Sequence, residues 1–338
     1  MDKINLGLIF GGKSEEHEVS IMSARSVYKY AKKDKYNIIP IAVDKKGNWL
    51  NSKESLKLLN NHELKEVPES EINVNKGLEK FLNNKFDIVF PLIHGPYGED
   101  GKIQGFLELL EIPYIGANVL SSAVGMDKGI MKKLFDYNGL KQTEFITVKK
   151  NNDYKIKLKQ FLDKITFPLF VKPANLGSSI GISKVYNIKD LDKAIKEAFI
   201  YDSKAVIEKH INAREIECSV LGKDKIMASL PGEIIPANDF YDYQSKYEDD
   251  KTKLVIPADL DSDLIEKIKS ISIKAFEIIE GEGLARVDFF VTKDNIVYIN
   301  EINTIPGFTK YSMYPKLWEA SGLSYSKLID KLVEISLS

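Results

Sequence analysis

Two short apolar runs near the end of the chain, Arg286 to Val291 and Ile296 to Asn303, carry carboxylates where a sheet normally carries core residues. The stretch reads RVDFFVTKDNIVYINEINTIPGFT, and the polar KDN between the runs marks a hairpin. With the loop centred on Asp294 and Asn295, antiparallel pairing sets Asp288 opposite Glu301 and Arg286 opposite Asn303, and the period of two puts all four on one face. Like charges facing one another across a strand pair repel, and carboxylates are costly to desolvate unless something positive lies between them. An oxygen-seeking cation such as Mg²⁺ meets that need, because it takes carboxylate and amide oxygens and bridges them to substrate phosphates. The competing reading is a solvated sheet face with a local ion pair from Arg286 to Asp288 or Glu301.

A second group of residues could hold those phosphates. In FVKPANLGSSIG, Lys172 ends an apolar strand, and Gly177, Ser178, Ser179 and Gly181 form a loop whose backbone N–H groups and hydroxyls can turn onto anionic oxygens. Many surface turns share that composition, so the lysine raises the signal: held on a buried strand, it needs an anion. Lys128 in GMDKG stands near an expected helix start, where free backbone donors favour negative charge; the plainer reading is a solvated helix lysine. In AVIEKHI, Glu208, Lys209 and Ile211 or Glu215 suit the adenine and ribose of a nucleotide, although taken alone the competing reading, Glu208 on an exposed edge, wins. No G-x-x-x-x-G-K-[ST] motif occurs and the first strand does not run into G-x-G-x-x-G, which argues against a P-loop enzyme and a dinucleotide oxidoreductase. Of the four histidines only His94 lies in a glycine-rich turn at a strand end, where it either orients a substrate or caps the turn. His17 and His210 read as surface residues, His62 sits in a polar connector, and without H-x-x-x-H spacing or a cysteine partner no zinc site is expected.

These groups need a scaffold, and 338 residues suffice for two or three domains. The first third alternates strand and helix: INLGLIF, a helix from about Ser20 to Lys32, YNIIPIAVD, then FDIVFPLI and a helix from about Gly101 to Leu110. That order predicts an α/β domain with a mostly parallel sheet, whose ligands bind outside the carboxyl ends of the strands, where GGKSEEHEVS and HGPYGEDG lie. A second region, 127 to 214, contains FPLFVKP, the glycine-serine loop, a strand VYNI and a helix from Lys189 to Phe199. The third, 215 to 338, opens on strands, holds the hairpin, and includes Asn238 to Thr252, whose three tyrosines and lack of period predict an ordered loop or lid. Lys and Arg number 48 against 49 Asp and Glu, so the net charge of -1 offers no long-range attraction to nucleic acid or anionic membrane, and any polyanion handled should be small. The apolar start is too short for a signal peptide, no stretch is long enough to span a membrane, and the single cysteine, Cys218, alternates in EIECSV like a structural thiol. A reducing cytoplasm is the expected home.

Taken together, the pieces resemble one family, the D-alanine:D-alanine ligases of the ATP-grasp class. The matching stretches are GGKSEEHEVS at 11 to 20, HGPYGEDG at 94 to 101, MDK at 126 to 128, VKPANLGSSIG at 171 to 181, YDYQSKY at 241 to 247, RVDFF at 286 to 290 and NEINTIPGFT at 300 to 309. They span nearly the whole chain in the family's order. The resemblance implies an N-terminal domain over 1 to 126 and two ATP-grasp subdomains over 127 to 214 and 215 to 338, with ATP gripped between the latter two. It implies that Lys128 and Lys172 hold the phosphates beside Ser178 and Ser179. It also implies that Glu208, Lys209, Ile211 and Glu215 bind the adenosine end, and that Asp288, Glu301 and Asn303, next to Asn300, hold two Mg²⁺ or Mn²⁺ ions. Glu16 would bind the ammonium of the first D-alanine in a triad with Ser178 and Tyr247, Lys246 would reach the γ-phosphate from the lid, and His94 would lie near the substrates. Arg286 and Gly307 would form the oxyanion site, and Ser312, beside Met313, would hold the carboxylate of the second D-alanine. The implied reaction joins two D-alanines through a D-alanyl phosphate for peptidoglycan precursors, with a homodimer formed through the N-terminal region. D-alanyl-D-serine synthesis, or another ATP-grasp carboxylate-amine ligation, is the alternative; retention of Lys246 and Tyr247 argues against D-alanyl-D-lactate.

Overall fold

The INLGLIFG run forms β1 (Ile4–Gly11), the middle of a three-stranded parallel sheet flanked by β2 (Tyr36–Val43) and β3 (Ile88–Pro91). This is a computed structural model, and it describes residues 2–69, 74–236 and 252–338. Leu6, Leu8 and Phe10 face one apolar cluster while Ile9, with Ile41 and Val43, faces another, which is why these strands read as unbroken hydrophobic runs. Helices α1 (His17–Tyr30) and α2 (Ser52–Asn60) cover the first face, and α3 (Val74–Leu82) and α4 (Lys102–Leu109) the second. α5 (Val119–Met126) follows and leads out of this region. Helix α1 starts three residues before the expected Ser20, with Glu16 at its N-cap.

After α6 (Lys128–Tyr137), the second sheet is antiparallel, in the order β4 (Phe145–Lys149), β7 (Lys204–Lys209), β5 (Leu169–Pro173), β6 (Ser183–Val185). Helices α7 (Lys155–Leu162) and α8 (Ile188–Tyr201) close its core through Leu158, Phe161, Leu191 and Ile195. The expected strand VYNI is not one: β6 ends at Val185, because the Asn187 side chain accepts from the Lys189 and Asp190 N–H groups and caps α8.

The third sheet runs β11 (Lys253–Val255), β10 (Gly232–Ile235), β8 (Arg214–Gly222), β12 (Gly283–Val291), β13 (Val297–Asn303), with β9 (Met227–Ala228) also on β8. Its apolar face, with Ile216, Cys218, Val220 and Val287, packs on α9 (Ser262–Ile278) and on α6. Burial pushes the Cys218 thiol up to about 11, as fits a structural residue. Two last helices, α10 (Met313–Ala320) and α11 (Tyr325–Leu337), return to the first sheet, whose core includes Tyr314, Trp318, Leu328 and Leu332. The first sheet therefore completes its core with residues from the other end of the chain.

The β12–β13 hairpin has the expected pairs, Asp288 with Glu301 and Arg286 with Asn303, but reaches them by a different route. Its loop is the three residues Lys293, Asp294 and Asn295: Asn295 N–H donates to Thr292 O (3.0 Å), Thr292 N–H donates to Ile296 O (3.1 Å), and Asn295 sits at φ 58°. That turn alone would leave the register one residue off. A bulge after Asp288, where Phe289 pairs with Ile299, inserts Asn300 and restores it.

His17 is not on the surface. It is fully buried, with Nδ1 2.7 Å from Gly12 O and Nε2 accepting from Val67 N–H at 3.0 Å. Since an amide can only donate, the proton is on Nδ1 and the ring is neutral, in line with the lowering of its pKa by burial. Among the described residues no helix is long and apolar enough to cross a membrane.

Candidate active site

A cavity of about 610 Å³ lies between the second and third sheets, lined by Lys128, Lys172, Glu208, Glu215, Asp288 and Glu301. Ser178, Ser179, Lys209, Ile211 and Asn300 also line it, so the residues expected around a nucleotide are brought to one place. Lys172, the last residue but one of β5, makes an ion pair with Glu208 on β7, whose other oxygen lies 3.0 Å from Lys132 Nζ on α6. Glu208 is 2 % exposed, which removes the reading of a residue on an exposed edge. Burial alone would raise its carboxyl, but Lys132 and Lys172 outweigh that and hold it at about 2. Because this lies below the ordinary 4.5, the pairing stabilises the fold fully above about pH 4.5, and that contribution is lost as the pH falls toward 2. Glu208→Gln is therefore expected to flatten the acid limb of a stability-against-pH curve in that window; curves that stay parallel there would assign the acid sensitivity to other groups.

Lys128 starts α6 and is no solvated helix lysine: it is 8 % exposed, donates to Leu176 O at 3.0 Å and lies 3.3 Å from Glu301. Its N–H also holds Ala174 O at 2.9 Å, so one residue anchors both ends of the short run before the glycine-serine loop. In that loop Ser178 and Ser179 sit at φ 49° and 60°, a left-handed pair that turns successive N–H groups toward one side.

The carboxylate face of the hairpin gains a third strand. Arg286 grips Asp288 with Nε at 2.7 Å and Nη2 at 2.8 Å, and its Nε lies 3.0 Å from Glu217, which β8 places opposite Asp288. Asn303 Nδ2 donates at 2.9 Å to Asp288 Oδ2, the oxygen that Arg286 Nη2 also holds. Burial opposes the charge on Arg286, yet Asp288 and Glu217 raise its pKa well above the ordinary value. The solvated-face reading was right about the Arg286 to Asp288 pair but not about solvation, since Arg286 and Asp288 are both mostly buried. Two carboxylates and an amide are a hard oxygen set suited to Mg²⁺ or Mn²⁺. Among the described residues no group of three His, Cys, Asp or Glu is disposed to hold a metal, so water and substrate phosphate oxygens would complete its coordination. Glu217, Asp288 and Glu301 against Arg286 and Lys128 leave an excess of negative charge that favours a cation.

The first region meets this cavity at Glu16. The Ser178 hydroxyl donates to Glu16 Oε1, and a Cβ on either Gly95 or Gly177 would come within 3.1 Å of Oε2. Glu16 also occupies the N-cap position of α1, without a side-chain capping bond, where a carboxylate is favoured by the helix dipole. His94, 2 % exposed, contacts Ser23 Oγ at 2.9 Å and Ile305 O at 3.0 Å, with Glu99 at 3.8 Å. Burial would lower its pKa, but Glu99 and Glu16 more than offset that and raise it. Ser23 accepts in turn from Phe308 N–H at 3.2 Å, which ties His94 to the loop after Gly307. A Cβ on Gly307 would lie 3.0 Å from Ser312 Oγ, so those two residues adjoin, and Thr309 N–H donates to the same hydroxyl at 3.1 Å. Met313 turns into a small apolar cluster with Ile234 and Leu317. Lys246 and Tyr247, with most of the expected lid, lie outside the described residues.

The turn that carries His94 has no spare room. A Cβ on Gly98 would stand 1.7 Å from the Ile93 carbonyl oxygen, whereas one on Gly105 in α4 would meet nothing closer than 3.8 Å. Gly98→Ala should cost about 3 kcal/mol or more, while Gly105→Ala should be neutral or stabilise by up to about 1 kcal/mol, both read from chemical unfolding.

Glu217, Lys132, Ser23 and Glu99 were not singled out by the sequence. Glu217 had a signal: it lies two residues beyond Glu215 on an alternating strand, hence on the same face. Lys132 stands four residues after Lys128 on one helix face.

A parallel-sheet domain followed by two antiparallel sheets that close on a cavity of lysines and carboxylates is the ATP-grasp arrangement, that of ligases that activate a carboxylate with a nucleotide. Family models described as "D-ala D-ala ligase N-terminus" and "D-ala D-ala ligase C-terminus" match residues 5–117 and 134–334. The chain belongs to the D-alanine:D-alanine ligase family. It is 55 % identical to the D-alanine--D-alanine ligase of Halothermothrix orenii, over 100 % of this chain and 99 % of that protein. Among solved structures it is similar to the D-alanine-D-alanine ligase of Coxiella burnetii, with a TM-score of 0.86 and 36 % identity over 100 % of this chain and 94 % of that one. The VanG D-Ala:D-Ser ligase of Enterococcus faecalis also gives a TM-score of 0.86, at 36 % identity over 99 % of this chain and 100 % of that one.

Proposed function

We propose that the protein joins two molecules of D-alanine into D-alanyl-D-alanine at the expense of ATP, giving ADP and phosphate. The observation that carries this reading is the contact between Glu16 and Ser178, which sets a carboxylate for a substrate ammonium directly against the phosphate loop. A ligase for another carboxylate has no need of that pairing. A carboxylate is a poor electrophile, so the first D-alanine, held through its ammonium by Glu16, attacks the γ-phosphate and becomes an acyl phosphate. Lys128 and Lys172 neutralise charge on the phosphates, with Lys246 reaching in from the lid, while Glu208, Lys209, Ile211 and Glu215 hold the adenosine end. Asp288, Glu301 and Asn303 hold Mg²⁺ or Mn²⁺, which when bound supplies charge neutralisation on the transferred phosphoryl group.

The second D-alanine, held by its carboxylate at Ser312, then attacks the acyl carbonyl with its deprotonated amine. Arg286 and the Gly307 N–H stabilise the oxyanion that forms, and phosphate leaves. Tyr247 closes the site, and exclusion of water protects the acyl phosphate from hydrolysis. Use of ATP fits a cytoplasmic enzyme, and a homodimer through the N-terminal region is the assembly we expect, to be checked by sedimentation.

The similarity to the VanG structure makes D-serine the competitor to test. Phosphate release is measured with Mg²⁺, ATP and D-alanine alone, then with equal D-serine or D-lactate, and the products are identified by mass. D-alanyl-D-alanine as the product throughout supports the proposal. A predominantly mixed product would reassign the chain to a variant ligase, and silence with D-alanine alone would move it to another ATP-grasp substrate.

A further inference from the structure

Lys132 has no role in the chemistry above, yet it is 1 % exposed and pairs with Glu208 from α6. Its Nζ also lies 5.5 Å from the centre of the Phe145 ring, the residue opposite Glu208 across β4 and β7. Glu208 and Lys172 both line the cavity, so Lys172 can turn from Glu208 toward a phosphate when a nucleotide is present. Two buried lysines on one carboxylate are a costly surplus of charge unless one of them is needed elsewhere. Were Lys172 the sole partner, its departure would leave Glu208 desolvated and unpaired, and the carboxylate would follow the lysine or take up a proton.

We infer that Lys132 is a positioning residue for nucleotide recognition: it keeps Glu208 ionised and aimed into the cavity while Lys172 engages the phosphates. This rests on reading the cavity as a nucleotide site. An ionised carboxylate only accepts hydrogen bonds, so it favours the 6-amino group of adenine over the 6-oxo group of guanine. Lys132 thereby acts on the choice of base without touching the nucleotide. Phe145 reinforces it, since an ammonium near an aromatic ring in a dry site is held in place at little cost in hydrogen bonds.

The test is binding of ADP and GDP by calorimetry to the full chain and to K132Q, K132M and K132R, with thermal unfolding of each as a control for folding. K132Q and K132M should weaken ADP binding about tenfold or more and narrow the preference for ADP over GDP, and K132R should restore most of both. In steady state, KM for ATP should rise while KM for D-alanine holds. Should K132M fail to fold, K132Q, which keeps a donor toward Glu208 without the charge, carries the measurement. Folded variants with unchanged ADP affinity and unchanged base preference would overturn the inference and leave Lys132 a structural residue. A wild-type chain that binds no ADP would instead sink the nucleotide reading of the cavity, and with it the inference, independently of which dipeptide is made.

Discussion

Arg286→Lys is expected to lower kcat by about 10²- to 10³-fold while KM for ATP changes little. Arg286 on β12 grips Asp288 with two nitrogens and lies 3.0 Å from Glu217 on the neighbouring β8. Lysine keeps the positive charge that offsets these two buried carboxylates, so folding should survive. It lacks the second arm needed to hold Asp288 or Glu217 and an oxyanion at once. The substitution also removes a competitor for Asp288, so the apparent affinity for Mg²⁺ should hold or tighten. Initial rates across a Mg²⁺ series, with Mn²⁺ binding followed by electron paramagnetic resonance, separate the two roles. Recovery of full activity at high Mg²⁺ would mean that Arg286 serves the metal site and not the oxyanion.

The hairpin was legible because strand alternation is a strictly local pattern, and four polar residues on one face cannot be hidden in it. Its register came out as expected only because the bulge at Asn300 offsets the three-residue loop, and neither feature is written in an apolar-polar pattern. What the sequence did not disclose is mostly non-local. Glu217 faces Asp288 because β8 lies beside β12, a neighbour relation set by the order of the third sheet. In EIECSV one side of the strand buries Cys218, while the other carries Glu215 and Glu217 into the cavity. His17 looked like a surface residue because no local period marks the close approach of Gly12 and Val67 that buries it. Lys132 carries no signal of its own in the sequence, since a helix lysine is ordinarily solvated. Only the arrival of β7 on α6 gives it a carboxylate. Likewise, nothing in the amphipathic pattern of α10 and α11 says that they complete the core of a sheet some 300 positions earlier.

Glu301→Gln carries the other large effect, a fall in kcat of about 10³-fold, the scale of several kcal/mol of lost charge stabilisation at the phosphoryl group. Glu301 stands opposite Asp288 in the register and 3.3 Å from Lys128, so two duties are open to it, metal ligand and counter-ion, and a single substitution can tell them apart. As a ligand it would supply a negative oxygen to the metal; glutamine retains a weaker oxygen, so Mn²⁺ binding in the presence of ADP should weaken and the rate should require more metal. As a counter-ion it only steadies Lys128, and since Lys128 also donates to Leu176 O at 3.0 Å that steadying is partly redundant. If steadying Lys128 were its whole role, E301Q would alter KM for ATP, leave the metal titration where it was, and be mimicked by K128M. A displaced metal titration that K128M does not reproduce is the result expected of a ligand, because removing the lysine takes away a competing cation and leaves both carboxylates in place.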